Sequence, residues 1–223
     1  MSGQKILVAV PVKDPDHAKG RLRGYLSDRA RKYLAKRLLD QLLCRLACAR
    51  TKLTGIEADI ALVTVPGAAW VGADPDVIVI EEAAPGLNAA AATALDWARR
   101  NDYDGLCLLP GDLADPSVED LAELLGQSMS RSSAFICPSQ DFGTNALLVP
   151  TNTEMVFAYG PRSYYQHAGR ARDAGLHVSL VPFPSLRRDI DRPTDLQHLS
   201  ASIRYTIAND LLTHDTRDAR GHR

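Results

Sequence analysis

Apolar residues in this chain come in two patterns, short continuous runs and longer stretches with helical spacing. Lys5-Ile6-Leu7-Val8-Ala9-Val10-Pro11-Val12 is rich in β-branched residues and apolar on both faces, as a strand buried in a parallel sheet reads. Asp59–Val65, Asp76–Ile80, Leu106–Leu109, Ala134–Cys137 and His177–Val181 predict further strands, and Ala146–Val149 is one more apolar segment. Between them, Leu34, Leu38, Leu42, Leu43 and Leu46 recur at helical spacing, which predicts a helix capped by Ser27-Asp28 and running to about Arg50. Pro85-Gly86 marks a turn, and Asn88 is placed to cap an Ala-rich helix running to about Arg100. Helices are also expected over Ser117–Met129 and Ser163–Ala174, and from Pro193, a natural first helical residue, to about Leu212.

Strands alternating with helices predict an α/β fold, a mostly parallel sheet with helices on both faces. No internal repeat or linker divides the chain, so residues 1–212 read as one domain and Thr213–Arg223 as a loose polar tail. In such sheets ligands gather beyond the carboxyl ends of strands. The candidate loops therefore follow Val12, Ile80, Leu109, Cys137 and Val181.

Charge narrows the partners. Lys and Arg total 26 against 27 for Asp and Glu, which argues against general nucleic-acid binding but leaves room for a local basic cluster. The apolar run at the start is too short for a signal peptide or a membrane span, so no membrane partner is expected. Cys44, Cys48, Cys107 and Cys137 form no C-x-x-C pair or zinc-like spacing, and a reduced, cytoplasmic setting is expected. Cys44 and Cys48, one turn apart, read as helix packing, and Cys107 and Cys137 as small core residues. A homodimer is left open.

Chemistry concentrates in the candidate loops. Lys13, Lys19, Arg21 and Arg23 follow the first strand within eleven residues, and such cations can neutralise a nucleotide's triphosphate and a departing pyrophosphate. This is neither a G-x-G-x-x-G nor a P-loop pattern, and the same charges suit a solvated loop. Asp112 in Leu109-Pro110-Gly111-Asp112 is well placed to hold Mg²⁺, or to cap the next helix. Asp189 and Asp191 face one side if the segment is extended, so they repel unless a cation or base lies between them. Their alternative role, with Asp195, is capping the final helix and pairing with Arg187, Arg188 or Arg192. Gly143-Thr144-Asn145 and Gly160-Pro161-Arg162-Ser163 offer backbone N–H groups to an anion, or ordinary turns. His167 and His177 have no partner by spacing, His167 reads as a helix-flank residue, and no G-x-S-x-G elbow is present.

In order along the chain, Pro-Val-Lys…Ala-Lys-Gly-Arg-Leu, Pro-Gly-Leu-Asn, Leu-Leu-Pro-Gly-Asp-Leu, Gly-Thr-Asn-Ala-Leu-Leu and Asp-Ile-Asp-Arg-Pro-Thr-Asp-Leu resemble the 2-phospho-L-lactate guanylyltransferase family of coenzyme F420 biosynthesis. The resemblance covers about Ile6 to Leu196. It implies a nucleotide-diphospho-sugar-transferase-like fold, like that of the molybdopterin guanylyltransferases, with GTP as donor and Mg²⁺ as metal. The acceptor implied is a small phosphorylated carboxylic acid: 2-phospho-L-lactate, phosphoenolpyruvate or 3-phospho-D-glycerate. Carried over by motif, Asp112 and Asp191 are the metal-site acids, and Lys13 and Lys19, with Arg21 beside them, lie near the triphosphate. Gly86, Leu87 and Asn88 lie near the nucleoside, and Thr144, Asn145, Gly160 and Ser163 form the acceptor pocket. The chain departs from the family in two loops, with Phe142-Gly143 where two glycines are usual and Leu113-Ala114 where a Leu-Pro pair is usual. Rival readings are a nucleotidyltransferase for a sugar phosphate or molybdopterin, a glycosyltransferase with an Asp-x-Asp metal site, and a nucleotide-binding regulatory module.

Overall fold

A computed structural model describes residues 3–14, 18–68, 75–127, 130 and 132–207. Its strands are β1 (Gln4–Pro11), β2 (Ile56–Thr64), β3 (Val77–Glu81), β4 (Gly105–Leu108), β5 (Ser133–Pro138), β6 (Thr144–Pro150) and β7 (His177–Leu180). They form one sheet in the order β3-β2-β1-β4-β6-β5-β7. Only β6 runs against the others, pairing antiparallel with β4 and β5, so the sheet is mostly parallel as the sequence predicts. The apolar segment at 146–149 is thus a full strand, buried along its whole length.

Helices α1 (Asp28–Arg50), α2 (Leu87–Arg100), α3 (Val118–Leu125) and α4 (Ser163–Asp173) cover the two faces. Leu39, Leu42 and Leu46 of α1 and Leu121, Leu124 and Leu125 of α3 pack on one face, against Ile6, Val8 and Val10. On the other, Ala90, Ala91 and Ala94 of α2 and Ala168 and Ala171 of α4 pack against Leu7 and Ala9. Alternation of side chains along β1 sends its apolar residues into both layers, which explains why the strand is apolar throughout.

Ser27 caps α1 by accepting from Ala30 N, and Ser117 caps α3 by accepting from Asp120 N. Four expectations need correction. Asn88 does not cap α2. The cap position is Gly86, whose φ of 117° suits a residue without a Cβ, and Asn88 lies inside the first turn. The segment from Pro193 is not one helix. It is a 3₁₀ turn over Pro193–His198, with Asp195 Oδ2 accepting from Asp191 N and Arg192 N, then a break and a helix over 201–207. Cys44 and Cys48 are exposed rather than packed, whereas Cys107 and Cys137 are core residues as expected. Helix α3 ends at Leu125 with Gly126 as its cap, short of the expected Met129, because the glycine stops the helix there. The domain end at 212 and the tail from Thr213 lie outside the described residues.

The sheet order switches direction around β1, since β2 and β3 lie on one side and β4 on the other. The carboxyl ends of β1 and β4 therefore open a crevice, the place where ligands settle in such sheets.

Candidate active site

The loop leaving β1 reaches this crevice because its apolar residues are anchored. Leu22 and Leu26 are buried against Leu34 and Leu38 of α1 and against Ile190. Buried Arg31 of α1 donates to Ala18 O (2.9 Å) and pairs with Asp28. These contacts hold Lys19, in left-handed backbone geometry (φ 54°), at the start of the 3₁₀ turn Gly20–Leu22.

Asp112 follows β4 through Pro110-Gly111, and a Cβ at Gly111 would come within 3.0 Å of Val12 Cγ1. The glycine thus lets the chain run close beside the end of β1. A short antiparallel bridge then joins Leu113 to Asp189, with Ile190 N donating to Asp112 O (3.0 Å) and Ala114 N to Arg188 O (2.9 Å). This backbone pairing brings two acidic segments together that the sequence separates widely.

The result is one charged cluster. Lys19 Nζ lies 2.5 Å from Asp112 Oδ2 and 3.8 Å from Asp191 Oδ1, and it also donates to Ile190 O. Arg21 Nη1 lies 2.8 Å from Asp191 Oδ2. Burial, and then the neighbouring Asp112 and Asp191, push the Asp189 carboxyl up to about 6. Its side chain also accepts from Asn145 Nδ2 at 3.4 Å. Asp112 and Asp191 therefore share the Lys19 ammonium, and Asp191 pairs with Arg21 as well. Among the described residues no group of three or more His, Cys, Asp or Glu is arranged to hold a metal ion. A pair of carboxylates facing a common point suits a hard divalent cation whose remaining ligands are water and phosphate oxygens.

Beside the carboxylates, β6 begins with an irregularity. Cys137 pairs with Ala146, but Pro138 pairs with Thr144, so Asn145 is an extra residue. Such a bulge re-aims side chains. Asn145 turns toward Asp189, and Thr144 turns toward α4, where its Oγ1 meets His167 Nδ1 (2.9 Å) and accepts from Ser163 Oγ (3.1 Å). Ser163 opens α4 behind Gly160-Pro161-Arg162. Phe142 sits just upstream at φ 65°, a left-handed geometry that favours glycine, and its ring lies 5.8 Å from that of Tyr165.

His167 is fully buried, not a helix-flank residue. Its Nε2 accepts from Ala158 N (2.9 Å), and the Tyr159 ring meets it edge-on at 4.6 Å. Burial, and then Arg170, lower its pKa to about 4. The unfolded chain protonates this imidazole near pH 6.5. Between that value and about 4 the unfolded state binds more protons, so this contribution to stability is complete above pH 6.5 and is lost on acidification. In urea denaturation the stability advantage of wild type over His167→Asn should shrink by about 1 kcal/mol or more from pH 7 to pH 4. A difference constant with pH would contradict this.

Asn88 links the remaining loops. Its Oδ1 accepts from Tyr159 N (2.6 Å) and its Nδ2 donates to Tyr159 O (3.2 Å), tying the start of α2 to the segment before Gly160. Leu87 is 44% exposed next to it.

The structure thus gathers Lys19, Arg21, Asp112 and Asp191 in one cluster, Thr144 and Ser163 in a second, and ties Asn88 to Tyr159. Lys13 stands exposed in the loop leaving β1. By spacing alone His167 reads as a helix-flank residue without a partner, and its contact with Tyr159 is not visible in sequence. The signal available for His167 was its position one helical turn after Ser163, on the same face.

Comparisons with known proteins identify the family and the fold. The family model described as guanylyl transferase CofC like matches residues 6–213. The 3-phospho-D-glycerate guanylyltransferase of Colwellia psychrerythraea is 30% identical, over 86% of this chain and 90% of its own. The phosphoenolpyruvate guanylyltransferase of Roseiflexus castenholzii is 33% identical, over 91% of each chain. The 2-phospho-L-lactate guanylyltransferase of Methanothermobacter thermautotrophicus is 30% identical, over 93% of this chain and 90% of its own. Among solved structures, a Desulfovibrio desulfuricans G20 protein classed with the nucleotide-diphospho-sugar transferases superposes with a TM-score of 0.71 at 21% identity. That match covers 92% of this chain and 94% of the other, and it shows the shared fold. No helix among the described residues is long and apolar enough to cross a membrane. A family model spanning nearly the whole sequence, with relatives at 30% identity or more over most of their lengths, places this chain in the CofC-like guanylyl transferases, a family of nucleotidyltransferase enzymes.

Proposed function

We propose that this enzyme transfers GMP from GTP to the phosphate of a small phosphorylated carboxylic acid, releasing pyrophosphate. The acceptor is 2-phospho-L-lactate, phosphoenolpyruvate or 3-phospho-D-glycerate, and the step belongs to the assembly of coenzyme F420 in the cytoplasm. The observation that carries this reading is the convergence of Asp112, Asp191, Lys19 and Arg21 beyond β1 and β4, with the Thr144–Ser163 pair joined to the acids through Asn145 and Asp189.

In the reaction an oxygen of the acceptor phosphate forms a bond to the α-phosphorus of GTP. The bond from that phosphorus to the oxygen bridging the β-phosphorus breaks, and pyrophosphate leaves with its electrons. A phosphate monoester is mostly dianionic near neutral pH, since its second pKa is about 6. The nucleophile needs no general base, so the site's work is to position two anions and offset their charge. Asp112 and Asp191 would hold Mg²⁺, which supplies charge neutralisation at the phosphates when bound. Lys13, Lys19 and Arg21 line the path of the triphosphate, Arg21 as a fork and the lysines as point charges. Gly86, Leu87 and Asn88 form the nucleoside side, where exposed Leu87 offers an apolar surface to the base. Thr144, Asn145, Gly160 and Ser163 form the acceptor side.

Purified protein supplied with GTP, Mg²⁺ and each acid in turn should release pyrophosphate and give a product heavier than the acid by one guanylyl group. Parallel reactions should include the other nucleoside triphosphates and a sugar phosphate. Release with a sugar phosphate and with none of the acids would favour the sugar-nucleotide alternative and refute the proposal. GTP binding without release from any pair would refute it in favour of a regulatory module.

A further inference from the structure

His167 is buried in the centre of a hydrogen-bond chain whose direction the geometry fixes. Ala158 N is a backbone donor, so His167 Nε2, 2.9 Å away, must be an acceptor. A neutral imidazole that accepts at Nε2 carries its proton on Nδ1. Nδ1 therefore donates to Thr144 Oγ1, at 2.9 Å. Ser163 Oγ donates to the same oxygen at 3.1 Å. A hydroxyl oxygen has two lone pairs and one proton, so both acceptor positions of Thr144 are filled. Its proton is left over, and no described residue accepts it. Thr144 itself is buried, only 8% exposed.

We propose that His167 is a positioning residue that makes the Thr144 hydroxyl an obligate donor, ready for an anionic oxygen of the acceptor acid. The assignment rests on the acceptor pocket proposed above. It differs from a packing role in one respect: the imidazole sets the polarity of a neighbour as well as filling space. A neutral ring is required, because a proton on Nε2 would clash with the Ala158 N–H. The burial that lowers the His167 pKa keeps the ring neutral at working pH. The Tyr159 ring, edge-on at 4.6 Å, and the clasp of Asn88 on the Tyr159 backbone hold the same segment from the nucleotide side.

Two substitutions separate polarity from packing. In His167→Asn the side-chain amide nitrogen falls near the place of Nδ1 and keeps a donor to Thr144. In His167→Gln the amide falls near Nε2 and leaves Thr144 without that donor. The KM for the acceptor should stay within about twofold of wild type in His167→Asn and rise severalfold in His167→Gln, with the KM for GTP unchanged in both. Thr144→Val, which removes the hydroxyl, should raise the acceptor KM roughly ten- to a hundredfold, the range for losing a hydrogen bond to a charged group. Equal rises in both His167 variants, or matching rises for GTP, would overturn the inference while leaving the transferase reading in place. A wild-type protein inactive with every acid would instead sink the transferase reading, and the inference with it. A measurement on the unmutated protein guards against misfolded variants. Nitrogen-15 NMR of the His167 ring at pH 7 should show a protonated Nδ1 and a bare Nε2. A protonated Nε2 would overturn the inference outright.

Discussion

Replacing Asp112 with asparagine is expected to abolish turnover without unfolding the chain. Asparagine has the same shape, and its side-chain oxygen can still accept from Lys19, whose Nζ lies 2.5 Å from Asp112 Oδ2. The backbone contact that places the residue, Ile190 N to Asp112 O, does not involve the side chain. What is lost is the negative charge that the proposed mechanism needs opposite the phosphates. Removing one preorganised electrostatic group from an active site commonly costs roughly 10²–10³ in rate, and loss of a metal-holding carboxylate should cost at least as much. Pyrophosphate release measures the effect, and a thermal melt checks the fold. A variant with near-normal turnover would remove Asp112 from the chemistry.

Lys19→Met is the second change with a large expected effect, and it should act in two ways. The Lys19 side chain is only 5% exposed, and its ammonium stands between Asp112 and Asp191. Methionine keeps most of the stem but removes the charge. Turnover should fall by about 10²-fold or more, since the triphosphate loses a cation in a partly dry site. The two carboxylates would then face each other with Arg21 offsetting Asp191 from one side. Mg²⁺ without nucleotide should therefore raise the melting temperature of Lys19→Met more than that of wild type, because the metal no longer competes with an ammonium already in place. Lys19→Arg should not restore activity, since a planar fork does not fit a niche shaped for a point charge. Equal metal responses in wild type and Lys19→Met would show that the ammonium and the metal occupy different places.

The sequence read clearly wherever one local rule decided the outcome. Strand β1 announced itself because both its faces are buried, and α1 because Leu34, Leu38, Leu42 and Leu46 share one face behind a serine cap. Asp112 and Asp191 could be picked out by motif, but their convergence depends on the bridge between Leu113 and Asp189, a contact across the chain with no local signature. Asn88 illustrates the opposite failure. It stands where a capping residue belongs, yet glycine at position 86 starts the helix earlier and frees the amide to clasp Tyr159. The last helix reads as continuous because Pro193 is a good first residue and nothing local forbids extension. Asp195 instead closes the turn on the amides of Asp191 and Arg192, and Leu199 packs in extended geometry at its end. His167 reads as partnerless because its partners are a strand residue and a loop amide, neither of which spacing along the chain reveals. The bulge at Asn145, which aims Thr144 at that histidine, is equally silent in sequence.

The most direct test is to locate the metal. Crystals grown with Mn²⁺ in place of Mg²⁺ and a non-hydrolysable GTP analogue can be measured at a wavelength where manganese scatters anomalously. One peak is expected in the crevice beyond β1 and β4, in direct contact with carboxylate oxygens of both Asp112 and Asp191, as suits a hard divalent cation. Phosphate oxygens should complete its shell, and the Lys19 ammonium should have moved from between the carboxylates to the phosphates. A peak bound by neither aspartate, or a nucleotide seated away from this crevice, would contradict the account.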